Sequence, residues 1–460
     1  MKKETLRYYI DMSHIKIAPW EKTFKKFLTP FEEFIRRQTT AGLILMVCTI
    51  IALILANSQF SSFYNNWIHM PLSFQLGPWH VEKTLQHWIN EGLMSFFFLI
   101  VGLELKREIL VGDLSDPRAA ALPLIGALGG MLMPALIYTL FNYNTPGMSG
   151  WGIPMATDIA FAVGLLVLLG KRIPNGLIIF LVALAIADDL GAVLVIALFY
   201  TEKLQIMPLL FSGLFIVWLL ILNLLGIKKS LPYCITGILL WGAMLQSGIH
   251  ATLSGIFTAA FIPAYPKYNP IYYSEFLNKH INDFSLSYES EKSIIKNDEL
   301  RTIVQLIEHH TKYVQTPLQR LEHKLHLPVS LFIIPLFALF NAGVTLPLHS
   351  LQELLEFCKH PITLGVAFGL LIGKVTGIMG LCWITIKLGF AQLPEKTKYK
   401  QLAGVALIAG VGFTMSLFIA ELAFPNDLAE LNLAKMGILL GSLFSGIAGV
   451  IWLLKTTETN

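Results

Sequence analysis

Apolar stretches close to twenty residues long recur along this chain from Thr39 to Leu454. A soluble core rarely needs such runs, whereas a bilayer whose hydrocarbon core is about 30 Å thick demands them of every crossing helix. The pattern predicts an all-α polytopic membrane protein built as one integral unit, with the lipid bilayer as its surroundings. Only 14% of the residues are charged, about half the usual globular share. The net charge of +4 is too small to suggest a nucleic-acid partner. No cleavable leader is expected, because the first apolar run starts near residue 40, behind a basic, aromatic-rich segment. Cys48, Cys234, Cys358 and Cys382 are scattered without ligand spacing and read as packing residues.

The apolar runs predict about twelve transmembrane helices, at 40–57, 85–110, 119–141, 153–169, 175–200, 207–225, 231–246, 249–262, 328–344, 362–386, 401–424 and 432–454. Basic residues test the count, because cytoplasmic connections are enriched in them. With the N-terminal segment inside and strict alternation, 29 of the 34 lysines and arginines fall on inside segments or, as Lys106 and Arg107, at the inside end of a span. Lys83, Lys203, Lys359 and Lys435 fall outside, and Lys374 lies within the tenth span. Both termini are therefore expected in the cytoplasm. The expected organisation is a basic cytoplasmic extension over 1–39, a membrane domain over 40–455 and a cytoplasmic tail over 456–460. Within the membrane domain, residues 264–327 form a cytoplasmic insert between the eighth and ninth spans. Its part from about 288 to 326 has helical periodicity. Residues 58–84, after the first span, alternate aromatic and polar side chains between turn residues and predict a short extramembrane β-hairpin.

A carboxylate inside a spanning helix costs roughly 2.5–3.5 kcal/mol even on a mild insertion scale. This chain keeps Asp158 in the fourth span and Asp188 and Asp189 in the fifth, with Lys374 as the basic residue well inside. Glu91 and Glu104 lie in or near the second. One structural ion pair between spans would need a single acid, so three aspartates against one lysine exceed that need. Adjacent helical residues point about 100° apart, so Asp188 and Asp189 cannot both face one partner.

Asp158 follows Gly152-Ile153-Pro154-Met155-Ala156-Thr157, where Pro154 removes a backbone donor and loosens the helix. Gly410-Val411-Gly412-Phe413-Thr414-Met415-Ser416 forms a matching break in the eleventh span. Two interrupted helices, the fourth and the eleventh, at corresponding positions of two halves point to inverted-topology repeats with an ion site at their breaks. Asp158 is expected to offset the positive helix ends there and Lys374 the negative ones. Gly365, Gly369, Gly373 and Gly377 recur every four residues beside Lys374 and predict a close helix contact.

These residues resemble the NhaA family of sodium/proton antiporters. The resemblance is carried by FFFLIVGLELKRE (96–108), GIPMATDIAFA (152–162), ALAIADDLGAVLVIALFYT (183–201), QSGIHATLSGIF (246–257), PLFALFNAGV (335–344), GLLIGK (369–374) and GVGFTMSLFIAELAF (410–424). It implies electrogenic Na+(Li+)/H+ antiport in an inner membrane, without a cofactor, with two H+ entering for each Na+ exported. It assigns Asp189 and Asp188 to Na+ or Li+, Thr157 and Asp158 to the interrupted-helix site, and Lys374 to the family's lysine. Burial disfavours the charged form of a carboxylate, so such a group can take a proton or a small cation in turn. The second proton falls to Asp188 or Lys374. Glu104, Glu108, Glu322, His323 and His326 match regions tied to pH sensing at the cytoplasmic face, and His250 a pH-linked position on the opposite side. The resemblance also implies a homodimer through the 58–84 hairpin. The long insert, the long N-terminus, Glu91 in place of an aspartate and Gln319 in place of a lysine depart from the family pattern.

Two rival readings belong to other classes. A sodium-coupled solute symporter would need a roomy polar pocket, and the intramembrane polar residues here are few and clustered. An intramembrane aspartyl protease would need two aspartates on facing helices, the second usually after Gly-x-Gly, whereas Ala185-Ile186-Ala187 precedes Asp188. The H-x-x-H spacing of His323 and His326 suits a metal, yet only Glu322 lies nearby as a third ligand.

Overall fold

A computed structural model describes residues 38–457, apart from 77–78, 202–203, 267, 269, 288–296, 346–350 and 395–396. The basic extension expected over 1–39 thus lies outside the described residues up to position 37, as do residues 458–460 of the tail. Nearly all of the rest is helix, as a bilayer requires of backbone that cannot hydrogen-bond to water.

Helix α1 (Gln38–Ala56) turns through 115° into α2 (Ser61–Ile68), a helix the sequence did not suggest. The expected hairpin follows, with β1 (Pro71–Leu76) antiparallel to β2 (Trp79–Thr84) and Pro71 opposite Thr84. A turn at Leu85–His87 and a π-helical segment at Trp88–Leu93 lead into α3 (Met94–Val111). Next come α4 (Pro117–Phe141), the 3-10 segment Pro146–Met155 and α5 (Ile159–Leu168). They are followed by α6 (Asn175–Phe199), α7 (Ile206–Leu224), α8 (Ser230–Met244) and α9 (Leu253–Phe261).

The insert holds two helices, α10 (Pro270–Ser287) and α11 (Asp298–Val314), so helix begins well before the expected 288. Phe276 lies between His280 and His310, at ring centroid distances of 4.0 and 3.9 Å, and clips the pair together. Outside the membrane segments, Lys312 holds the Glu308 carboxyl below the usual carboxylate range.

Helix α12 (Pro317–Asn341) starts before the apolar run expected at 328. Thr316 and Gln319 form a capping box around its first turn, and Pro317 occupies a first-turn position. The insert's last turns are therefore continuous with a membrane helix. The chain ends with α13 (Leu351–Lys359), α14 (Pro361–Lys387), α15 (Tyr399–Ala409), α16 (Phe413–Ala423) and α17 (Leu428–Thr456).

Among the described residues, α4, α6, α7, α12, α14 and α17 are each long and apolar enough to cross a membrane. The number rises to nine if each of three bent pairs is one span. Helix α3 carries four charged residues in its last turns, and α8 and α9 are short, so these three fall below that standard.

Buried apolar side chains form two clusters. Along α6, residues up to Ala187 belong to one cluster and those from Ala192 onward to the other. Asp188 and Asp189 thus lie at the seam. The glycine stripe of α14 does bring it against α4. A Cβ on Gly377 would run into the Gly129 carbonyl, and one on Gly373 would meet the Pro134 backbone at 2.7 Å. The segment Gly369–Gly373 is π-helical and ends at Lys374, and such single-turn bulges often mark functional positions.

This contact predicts that Gly377→Val lowers stability by about 1–3 kcal/mol through overpacking, read as thermal unfolding of detergent-purified protein. Gly380→Ala on the same helix meets nothing within 4 Å and should leave the midpoint unchanged or slightly raised.

Candidate functional site

The two interrupted spans cross at their breaks. The pair Pro146–Met155 and α5 is bent by 43°, and the pair α15 and α16 by 45°. A break frees backbone groups that hydrocarbon cannot satisfy, so something in the protein must. Here each span satisfies the other. Asp158 N donates to Val411 O at 2.7 Å, and Ser416 Oγ donates to Ile153 O at 2.8 Å.

Asp158 caps two helices at once. Its Oδ1 accepts from Phe161 N of α5 at 3.0 Å, and its Oδ2 accepts from Thr414 N and Oγ1 of α16 at 3.1 and 2.6 Å. Each helix N-terminus carries the equivalent of roughly half a positive charge. Two of them match one carboxylate, as expected for Asp158.

Thr157 Oγ1 lies 2.8 Å from both Ala409 O and Asp188 Oδ2. One hydroxyl proton serves one acceptor at a time, so this side chain can turn between the broken helix and the aspartate. Lys374 Nζ donates to Asp188 Oδ2 at 2.5 Å, and both side chains are fully buried. Lys374 is thus the counter-charge of a membrane aspartate, and it is its expected role at the helix breaks that the structure corrects. Hydroxyl groups reach the carbonyls at the breaks, while the lysine's ion pair is with Asp188 of α6. The close α4–α14 contact brings the lysine stem to this depth.

Asp189 is fully buried as well. Neither of its carboxylate oxygens has a hydrogen-bond partner among the described residues, and the same holds for Asp188 Oδ1. The adjacent aspartates therefore occupy different positions, as their angular separation required. Asp158 is matched by helix ends and Asp188 by Lys374, so Asp189 carries the charge left over. Each of these three carboxylate oxygens is a hard donor of the kind that takes a proton or a small cation.

The remaining sequence-predicted residues divide between the two ends of the membrane domain. Arg107 joins Glu108 and Glu322 at 2.7 and 2.6 Å, with Glu104 on the same helix as Arg107 and Glu108. His323 and His326 are exposed beside them. Arg107 was passed over in the sequence, although its place inside a Glu-Leu-Lys-Arg-Glu run was a signal. His250 is at the hairpin end, 3.4 Å from Glu91 Oε1 and 2.8 Å from Tyr200 O. Thr414 was also missed as a site residue. The signal was a hydroxyl residue just after the second break, mirroring Thr157-Asp158 at the first.

Thr414→Val should lower stability by about 1.5–3 kcal/mol, the worth of a hydrogen bond to a charged group. Thr414→Ser should restore most of it. Unfolding midpoints of the purified variants check this, and equal midpoints for Val and Ser would contradict the bridging role.

The sequence profile of the Na+/H+ antiporter 1 family matches residues 32–453. The Na(+)/H(+) antiporter NhaA 1 of Saccharophagus degradans is 50% identical over 455 residues, covering 99% of this chain and 97% of that protein. The Na(+)/H(+) antiporter NhaA of Sulfurimonas denitrificans is 49% identical, covering 95% and 97%. That of Syntrophobacter fumaroxidans is 47% identical, covering 94% and 92%. Broken helices crossing at buried carboxylates, a multi-pass apolar fold and likeness along nearly the whole length agree, and the chain belongs to the NhaA family of Na+/H+ antiporters, which are transporters and not enzymes.

Proposed function

We propose that this chain is an electrogenic Na+(Li+)/H+ antiporter that exports one Na+ for two H+ and responds to pH. The observation that carries the reading is the unmatched charge on Asp189, with both of its oxygens buried and without donors among the described residues. A buried carboxylate without a partner is costly unless a cation joins it or a proton neutralises it. The same oxygens accept either, so H+ and Na+ compete. That competition gives obligatory exchange, provided the site faces one side at a time.

The pair between Asp188 and Lys374 supplies a route to a second proton. Na+ drawn to Asp189 and to the free Oδ1 of Asp188 weakens the hold of Asp188 on Lys374, which then gives up a proton. In the alternative, Asp188 itself carries it. Either way the cycle moves net charge, and the membrane potential contributes about 2.3 kcal/mol per charge per 100 mV. Thr157 and Asp158 hold the breaks in register beside the exchanging pair.

The same reading takes the chain as twelve spans in inverted-topology repeats within an inner membrane, both termini cytoplasmic. It is supported by the alternation of lysine and arginine along the sequence. The hairpin face then lies outside the cell's interior, and the insert within it. The 58–84 hairpin is proposed as a homodimer interface, since each strand of the two-stranded sheet keeps one edge without a strand partner among the described residues. The 1–39 extension and the 264–327 insert are read as cytoplasmic appendages. Glu104, Glu108, Glu322, His323 and His326 are proposed as the cytoplasmic pH-sensing group, and His250 with Glu91 as its counterpart on the other face.

Everted vesicles from cells lacking their own antiporters, loaded with a proton gradient, test the reading. Na+ or Li+ should dissipate the gradient, and Asp189→Asn should abolish the response while protein level and folding are kept. Antiport that persists in that variant would sink the assignment. The combined substitution Glu322→Ala and His323→Ala should move the pH midpoint of exchange, and an unchanged midpoint would count against the cytoplasmic sensor.

A further inference from the structure

A cavity of about 660 Å³ lies at the hairpin end of the molecule. Exposed Lys83 stands among its lining residues, together with the half-buried Gln86 and Glu421 and the buried Asn90 and Glu91. Asp158, Asp188 and Asp189 do not line it, and all three are buried.

A chain of polar side chains runs through this lining. Asn90 and Asn341 exchange two amide hydrogen bonds, at 3.0 and 2.8 Å. Gln86 Nε2 reaches Asn341 Oδ1 at 2.9 Å and Glu421 Oε1 at 3.2 Å. Glu421 in turn pairs with Lys435 at 2.8 Å. The links tie the turn before α3 to the ends of α12 and α16 and to the start of α17.

Apolar side chains pack about one helical turn from Glu421 along α16. Phe418 packs on Phe98 and Phe337, with ring centroids 5.4 and 6.2 Å apart. Along α16, Thr414, Phe418 and Glu421 follow one another at helical spacing and share a face. Thr414 holds Asp158, Phe418 joins the apolar packing, and Glu421 joins the polar chain. A movement of this one short helix would open that packing and be felt at the ion site.

We propose that the Gln86–Glu421–Lys435 junction is a latch holding the hairpin side of the pathway shut, and that α16 is the element that moves when it parts. The inference rests on the antiport reading and adds the gate to it. In this scheme the cation leaves Asp189 past Phe418 into the 660 Å³ cavity, once Glu421 has released Gln86. Glu421 acts through helix position and does not touch the exchanging carboxylates, so it is a positioning residue.

The test uses full-length protein in vesicles of both orientations. Glu421→Gln keeps the side-chain size and removes the charge that Lys435 and Gln86 hold. A weaker latch enlarges the outward-facing population, and apparent affinity scales with the competent fraction. The apparent KM for Na+ at the hairpin face should therefore fall by about threefold or more, while that at the opposite face rises. A purely structural defect would move both in one direction, and that result, or no change on either face, overturns the latch.

A second measurement does not rely on that variant. With Cys48, Cys234, Cys358 and Cys382 replaced, the pair Gln86→Cys and Glu421→Cys is bridged by a short bis-thiosulfonate reagent. Exchange should fall about tenfold or more, as expected when one population is trapped, and return on reduction. Undiminished exchange in fully bridged protein overturns the latch alone. Absence of exchange by the unmodified parent chain overturns the antiport reading, and the latch with it.

Discussion

Asp158 neutralises two helix N-termini with one carboxylate, and the rest of the site is arranged around that fact. A bilayer leaves no water for the backbone groups freed where a helix is interrupted. One interrupted span would be a liability. Two that cross can satisfy each other, and here they do so through Asp158, Thr157, Ser416 and the main chain of Val411. The crossing fixes where the carboxylates of α6 must lie. It also gives both oxygens of Asp158 hydrogen-bond donors, which sets that residue apart from Asp189.

What remains is an imbalance. Asp188 has Lys374, and Asp189 has no partner among the described residues. Breaking a buried ion pair by removing one member typically costs 3–5 kcal/mol, so Lys374 and Asp188 restrain one another strongly. Asp189 has no comparable restraint among the described residues, and in the proposed exchange a cation decides its state. The glycine stripe of α14 matters for the same reason. Only small residues let α4 and α14 pack this closely beside the buried lysine stem, and a π-turn immediately precedes Lys374.

Much of this was legible in the sequence. The apolar runs located the helices, Pro154 and the Gly410–Gly412 string marked both breaks, and the adjacency of Asp188 and Asp189 already required two different environments. The glycine spacing announced the contact that carries Lys374. Other features were hidden because they depend on side chains brought together from distant positions. Lys374 could have met any of three aspartates, and only the packing of α4 against α14 selects Asp188. Gln86, Asn341, Glu421 and Lys435 look like unrelated polar residues near helix ends until the fold assembles them. The start of α12 at Pro317 was missed because its first turns are polar. The Thr316 capping box was visible in the string but outweighed by the hydropathy pattern.

The central claim is that one buried carboxylate holds H+ or Na+ by turns. Proton release answers it most directly. Purified protein in weakly buffered detergent would receive Na+ or Li+ while the pH of the solution is followed with an indicator dye. The account predicts that protons appear as the cation binds, and that Asp189→Asn releases none. Cation binding by the parent protein with no proton released, or equal release by Asp189→Asn, would contradict it.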